Sequence, residues 1–168
     1  AADKALQLAP QSADAHGAMG WYYYHGLRDY DNALKEFNLA LSMQPNNLDL
    51  LLGLGAIYRR EGKFDESVDY FRRAIASDPR SAKLLAELGN TLTVMRNYTE
   101  ADRFYDQSLT LKPDIADTYA EKSLIALLSK GDIVSSEKIL NDARQRGISP
   151  NDPYFIYSWI FTNVIAGK

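Results

Sequence analysis

The chain contains 168 residues, of which 46% are hydrophobic and 24% are charged, as expected for a globular domain with a sizeable buried core. The net charge of −3 argues against a nucleic-acid partner, because such proteins need a basic patch or stripe. The lack of cysteine excludes disulfides, thiolate metal ligands and cysteine nucleophiles, and the lack of any run of 18 apolar residues predicts that nothing inserts into a membrane.

The sequence repeats itself with a period of about 34 residues. Prolines recur at Pro10, Pro45, Pro79 and Pro113, in steps of 35, 34 and 34 residues. Five further columns keep this step, and such a regular period indicates a repeat architecture. The columns are Gly20, Gly55, Gly89 and Ser123; Tyr30, Phe64, Tyr98 and Ile133; Ala33, Ser67, Ala101 and Ser136; Phe37, Phe71, Tyr105 and Leu140; and Ala40, Ala74, Ser108 and Ala143.

Taken in chain order, the elements begin with residues 1–12, where Ala5, Leu8 and Pro10 look like the tail of a second helix from a preceding unit. Full units follow at residues 13–47, 48–81 and 82–115, then a divergent unit at 116–150 and a C-terminal helix at 151–168. The first unit has one extra residue near positions 26–28, which we place in the turn between its helices. The divergent unit has Lys122 and Ser123 where leucine and glycine are usual.

Each unit is predicted to contain two helices. In residues 48–81 a helical pattern runs to Gly62, a suitable C-terminal residue, and a second pattern begins with acidic residues and ends before Pro79. Small residues such as Gly55 and Ala74 let the helices approach closely, while aromatic side chains such as Phe71 fill the space between them. One helix pair cannot bury both apolar faces, so stacked pairs, a solenoid, are expected.

These residues resemble the tetratricopeptide repeat over nearly the whole chain. The second unit matches with Leu51, Leu54, Gly55, Tyr58, Gly62, Phe64, Ser67, Phe71, Ala74 and Pro79, and the third with Leu85, Leu88, Gly89, Leu92, Tyr98, Ala101, Tyr105, Ser108 and Pro113. The resemblance implies an all-α fold, a right-handed α-solenoid of antiparallel helix pairs. It also implies that the variable face of each first helix lines a concave groove where peptides bind.

A helical projection separates this variable face from the core face in the stretch GWYYYHGLRDY, residues 20–30. His16, Met19, Gly20 and Tyr23 fall on the recurring side and are predicted to be core. The opposite side and its equivalents in the next two units are the candidate groove residues. They are Asp14, Gly17, Trp21, Tyr24, His25, Asp49, Leu52, Arg59, Arg60, Lys83, Asn90 and Thr93.

Several of these side chains are equally suited to structural roles. Trp21 and Tyr24 could pack on a neighbouring repeat, and Arg59 and Arg60 suit a solvated surface or ion pairs with Glu61 and Asp49. A further apolar stripe is suited to packing under the final helix. That stripe is Leu124, Leu127 and Leu128.

The C-terminal helix is apolar almost all round, and a helix of that kind is usually buried. Its large apolar residues are Phe155, Ile156, Trp159, Ile160, Phe161, Val164 and Ile165. Terminal repeats normally carry polar caps. We therefore expect the chain to be a piece of a longer protein, or its ends to be covered by another subunit.

No catalytic chemistry is predicted. His16 and His25 lie nine residues apart on different faces and cannot form a metal site alone, and no nucleotide-binding or nucleophile motif occurs. We expect no cofactor, no metal and no enzymatic activity, and a protein or peptide as the partner. The alternatives are an oligomerisation module that pairs through the C-terminal helix, a helical appendage of an enzyme, and a sensor for a signalling peptide.

The crowded aromatic form of the first repeat resembles tetratricopeptide tails of bacterial multidomain signalling proteins. This resemblance predicts a scaffold within a larger bacterial signalling or regulatory protein. The start of the chain lacks the shape of a signal peptide, which predicts a cytoplasmic location.

Overall fold

Helices are the regular secondary structure throughout the part of the chain that the computed structural model describes, residues 11–167. The predicted all-α fold of helix pairs is confirmed. Ala5, Leu8 and Pro10 of the predicted preceding repeat lie outside the described residues. The helices are α1 (Ala13–Trp21), a π-helix (Tyr22–Leu27), α2 (Tyr30–Met43), α3 (Leu48–Arg60), α4 (Phe64–Ser77), α5 (Ala82–Val94), α6 (Tyr98–Leu111), α7 (Ala116–Lys130), α8 (Ile133–Gln145) and α9 (Pro153–Ile165).

The chain forms two compact units, Ala1–Pro79 and Arg80–Lys168. In the first, α1 pairs with α2 and α3 with α4. Its core centres on Phe37, whose side chain is fully buried. The buried core residues are Ala13, Ala33, Phe37, Ala40, Leu50, Leu54 and Ile57, with Trp21, Tyr24 and Tyr58 among the partly buried side chains packed against them.

In the second unit α5 pairs with α6 and α7 with α8, and α9 packs on both α7 and α8. A core cluster here consists of Tyr119, Leu140, Ala143, Ile148 and Phe155. The first helices α1, α3, α5 and α9 begin at comparable N-caps, whereas the N-cap of α7, Ile115, forms no side-chain hydrogen bond. The side chains of Ser12, Asn47, Ser81 and Asp152 each accept a backbone N–H of their helix, which satisfies donors that the first turn leaves without a partner.

The glycine column marks where a first helix meets its second helix. Gly20, Gly55 and Gly89 each lie eight residues after an N-cap. A Cβ added there would lie 2.6 Å from the Phe37 ring, 2.9 Å from the Phe71 ring and 2.6 Å from the Tyr105 ring, respectively. The aromatic ring of the second helix therefore occupies the volume that a side chain on the first helix would need.

The turn after each first helix passes through one left-handed residue. These residues are Arg28 (φ 54°), Gly62 (φ 75°), Arg96 (φ 60°) and Gly131 (φ 63°). Glycine adopts this conformation readily, whereas for a residue with a Cβ it costs about 1–2 kcal/mol. Two of the four turns thus carry an arginine in a conformation suited to glycine.

Replacing Arg96 by glycine should raise the free energy of unfolding by about 1 kcal/mol, because the strained backbone is relieved. Gly62→Arg should lower it by a similar amount. Urea denaturation measures both. Arg96→Ala removes the same charge and keeps the strain, so it serves as the control. An equal gain from Arg96→Ala and Arg96→Gly would contradict the backbone explanation.

The extra residue of the first repeat lies within a helix, and its predicted place in the turn is wrong. Tyr22–Leu27 form a π-helix, and the backbone N–H of Arg28 donates to the carbonyl of Tyr23, five residues earlier. A π-helical turn accommodates one residue more than an α-helical turn. The left-handed turn therefore begins one residue later than in the second and third repeats.

Candidate functional site

The candidate site is the variable face of the first helices, whose side chains stand 2, 5, 9, 12 and 13 residues after each N-cap. In the first unit it comes from α1, the π-helix and α3, and α1 contacts α3 directly. In the second unit it comes from α5, α7 and α9.

An aromatic cluster forms the first part of this face. The ring of Trp21 stacks on that of His25, with centroids 5.2 Å apart and an interplanar angle of 12°. Tyr24 meets His25 edge-on at 4.6 Å, and Trp21 meets the buried Phe37 edge-on at 5.1 Å. His25 is exposed, while Trp21 and Tyr24 are half-buried. The cluster therefore both packs on the core and presents surface to solvent.

The charged part of the face in this unit lies on α3, with one acidic residue on α1. Asp14, Asp49 and Arg60 are exposed. The Arg59 guanidinium lies 5.6 Å from the centroid of the Phe71 ring, a distance typical of a cation–π contact. Its charged group is thus held near the junction of α3 and α4.

Two candidate positions offer little surface to a ligand. Leu52 is buried, and so is Gly17, where an added Cβ would lie 3.1 Å from Leu50 Cδ2. Gly17 therefore serves the close approach of α1 and α3. The surface within reach of a partner comes from the remaining candidates.

In the second unit, Asn90 and Thr93 are tied to a buried tyrosine that the helical projection did not connect with them. The Tyr105 hydroxyl donates to Asn90 Oδ1 (2.8 Å), and the Thr93 hydroxyl lies 3.1 Å from it. The sequence signal was a tyrosine in a column that holds Phe37 and Phe71 in the preceding repeats. Lys83 is exposed on the same helix.

The three residues of the apolar stripe on α7 differ in how much of each side chain is exposed. Leu127 is buried, Leu124 is half-buried and Leu128 is exposed. On α9 the equivalent positions carry exposed apolar side chains, Phe161 (45% exposed), Val164 (67%) and Ile165 (46%). The predicted burial of the final helix therefore applies to one of its sides, the side that holds Phe155 and Thr162.

A polar cleft of about 1360 Å³ opens elsewhere in the second unit, lined by residues of α6, α7 and α8. Lys122 lies in it and pairs with Asp102 and Asp106, the latter at 3.1 Å. The corresponding residues of α3 and α5 are the fully buried Leu54 and Leu88. The charged lysine is therefore accommodated by two carboxylates where the other repeats use apolar packing.

The histidines occupy separate settings. His16 is buried, with its Nδ1 2.6 Å from Glu36 Oε2, whereas His25 stacks on Trp21. Within residues 11–167 no three histidine, aspartate or glutamate side chains gather as metal ligands would. In the same stretch, every helix is too short or too polar to cross a bilayer.

Family models described as "Tetratricopeptide repeat" match residues 22–82 and 84–119. The chain belongs to the tetratricopeptide repeat family. It is 24% identical over 166 residues to anaphase-promoting complex subunit 3 of Schizosaccharomyces pombe, covering 95% of this chain and 24% of that protein. It is 26% identical over 151 residues to the human mitochondrial import receptor subunit TOM70, covering 83% of this chain and 24% of that protein. The chain thus spans about a quarter of the length of these relatives.

Solved tetratricopeptide structures share the fold. Pseudomonas aeruginosa pilF matches with a TM-score of 0.78 and 20% identity, covering 99% of this chain and 74% of its own. The structure of the APC/C hetero-tetramer Cut9-Hcn1 matches with a TM-score of 0.78 and 17% identity, covering 90% and 30%. A Thermobaculum terrenum O-GlcNAc transferase matches with a TM-score of 0.69 and 22% identity, covering 79% and 26%. In the repeats that the structure describes, the columns of Gly20, Ala33, Phe37 and Ala40 are buried, the column of Tyr30 is half-buried, and Pro45, Pro79 and Pro113 are exposed.

Proposed function

We propose that this chain is a non-catalytic interaction module that binds a protein or peptide segment on the variable face of its first helices. The observation that carries the proposal is the cluster of Trp21, Tyr24 and His25. These residues do not recur among the repeats, yet they keep ring surface at solvent. Aromatic and arginine side chains are the commonest energetic anchors of protein interfaces.

The charges on this face favour a partner segment that combines apolar side chains with acidic or carboxylate groups. In the first unit an exposed cation stands at Arg60 on α3, and a guanidinium binds a carboxylate through two parallel hydrogen bonds. The aromatic cluster supplies apolar contact. Asp14 and Asp49 would select against a purely acidic peptide, since like charges repel.

The names of relatives support a role in assembly. One relative is a subunit of the anaphase-promoting complex and another is a subunit of a mitochondrial import receptor. Both names describe components of multiprotein machines. We infer that this chain likewise works by contact with other proteins, as part of a larger signalling or regulatory protein.

A second role, as the helical appendage of an enzyme, is favoured by the O-GlcNAc transferase structure, about a quarter of which is matched by this chain. In that role the variable face would position a protein substrate for a catalytic domain outside the chain. The domain composition of the complete gene product separates the two roles. The bacterial origin and the cytoplasmic location stay predictions. The identity of the complete gene product tests the origin, and fractionation of its host cells tests the location.

A peptide-library screen tests the site. For binders selected on the unmodified chain, His25→Ala should weaken binding about three-fold and Arg59→Ala/Arg60→Ala about ten-fold, because each removes an anchor. Fluorescence anisotropy measures the dissociation constants. The matched control is Arg72→Ala/Arg73→Ala, which removes the same charge from α4. If the control variant weakens peptide binding and the site variants leave it unchanged, the binding site lies elsewhere.

A further inference from the structure

The final helix α9 is seated in the fold as a first helix. Its third residue after the N-cap, Phe155, is buried like Leu50 and Leu84 at the same place in α3 and α5. The tenth residue after the N-cap, Thr162, is fully buried, and the Thr162 hydroxyl lies 2.9 Å from that of Ser136 on α8. This register places Ile160 eight residues after the N-cap Asp152, in the column of Gly20, Gly55, Gly89 and Ser123.

Ile160 changes what can pack on this helix. In α1, α3 and α5 the residue of this column is a glycine, and an aromatic ring of the following helix occupies the space of its Cβ. Ile160 is 54% exposed and projects four carbon atoms into that space. A helix of the usual kind, with an aromatic ring at this point, cannot approach α9 as α4 approaches α3. The covering element must instead present a small residue.

The surroundings of Ile160 define the rest of the partner. Ile160 helps to line an apolar hollow of about 90 Å³ together with Arg144, Pro150, Phe155, Ile156 and Trp159. The Arg144 guanidinium lies 5.1 Å from the centroid of the Trp159 ring and is the one charged group among these lining residues. The sequence of α9 itself, Pro153–Ile165, contains no charged residue. An acidic side chain on the partner would complement this lone positive charge.

The second helices of this chain show what shape of element fits a first helix. α4 has three buried residues, Ser67, Phe71 and Ala74, spaced four and three residues apart. The rest of its surface carries charges such as Asp65 and Asp69. An amphipathic helix with such a stripe packs on a first helix through one narrow row of buried residues.

We propose that the side of α9 formed by Ile156, Trp159 and Ile160 docks an amphipathic helix of a partner protein. That helix places a small residue against Ile160 and an acidic residue beside Arg144. These three residues differ from the variable positions of α9, which include Tyr157 and Val164.

The chain's own α4 supplies the probe. A labelled, helix-stapled peptide of residues 63–79 is titrated with the unmodified chain, in its natural form and with Phe71→Ala. The Phe71→Ala peptide should bind at least ten-fold more tightly, because it replaces the ring that Ile160 excludes. With the Ile160→Gly chain the order should reverse. Equal binding of both peptides, or the same order with both chains, would overturn the proposal.

A second variant avoids dependence on a glycine in the helix. Arg144→Glu should weaken binding of the Phe71→Ala peptide about ten-fold, whereas Arg146→Glu, on the adjoining turn, should leave it within two-fold. Equal losses would overturn the predicted acidic contact. Sedimentation of the chain alone tests whether a second copy of the chain binds to this side of α9. A dimer that Ile160→Glu dissociates would overturn the proposal. So would a complete gene product that fails to bind the peptide because its own chain covers α9.

Discussion

Phe37→Ala is expected to lower the free energy of unfolding by about 4 kcal/mol. The side chain is fully buried and its ring fills the space where a Cβ on Gly20 or on Gly53 would stand, 2.6 and 2.7 Å away. It therefore fills the junction between α2 and two first helices. Alanine would leave a cavity that the neighbouring backbones can close only by moving together.

The measurement is equilibrium denaturation in urea, with the loss of helical circular dichroism as the signal. Leu39→Ala is the control, because it shortens an exposed residue of the same helix and should cost less than about 1 kcal/mol. Phe37→Leu, which mimics Leu140 of the fourth repeat, should fall between the two. A Phe37→Ala loss no larger than that of Leu39→Ala would contradict the central role of this ring.

Gly89→Val is expected to lower the free energy of unfolding by about 3 kcal/mol. The cause here is overpacking of the helix junction, not a cavity. A Cβ at Gly89 would lie 2.6 Å from the Tyr105 ring. That ring is held in place because its hydroxyl donates to Asn90 and lies against the Thr93 hydroxyl. It cannot rotate away without giving up these hydrogen bonds.

The same denaturation experiment checks this expectation, and a double variant makes it specific. Tyr105→Leu should restore part of the stability lost in Gly89→Val, because it removes the clashing ring atoms and resembles the natural pair of Ser123 and Leu140. Gly26→Ala is the control, since a Cβ there would meet its nearest neighbour at an ordinary 3.4 Å. If the double variant loses as much stability as the two single variants together, a clash between these two positions is not the cause.

The pairing of glycines with rings follows from the sequence, because the repeat period is regular. Columns 34 residues apart must occupy equivalent places in stacked helix pairs. Gly55 opposite Phe71 is therefore predictable without coordinates, as is the burial of Ala74. The N-caps at Asn47 and Ser81 are equally local, since they depend on a few residues of the same chain segment.

The candidate site is less predictable, because exposure depends on neighbours that a helical projection omits. The projection places Leu52 on the variable face, yet the structure buries it. It also assigns Asn90 and Thr93 as ligand contacts without showing that Tyr105 already engages both. Lys122 was visible as a departure from the pattern, but its two aspartate partners come from another helix.

The π-helix at Tyr22–Leu27 has a consequence for how this array changes over time. An inserted residue in a loop usually leaves the flanking helices as they were. Here the extra residue lies inside the π-helix, whose wider turn carries Tyr24 and His25. A single codon gained or lost at this place therefore alters the helical turn that carries Tyr24 and His25, and it alters the packing of Tyr24 on the core at the same time.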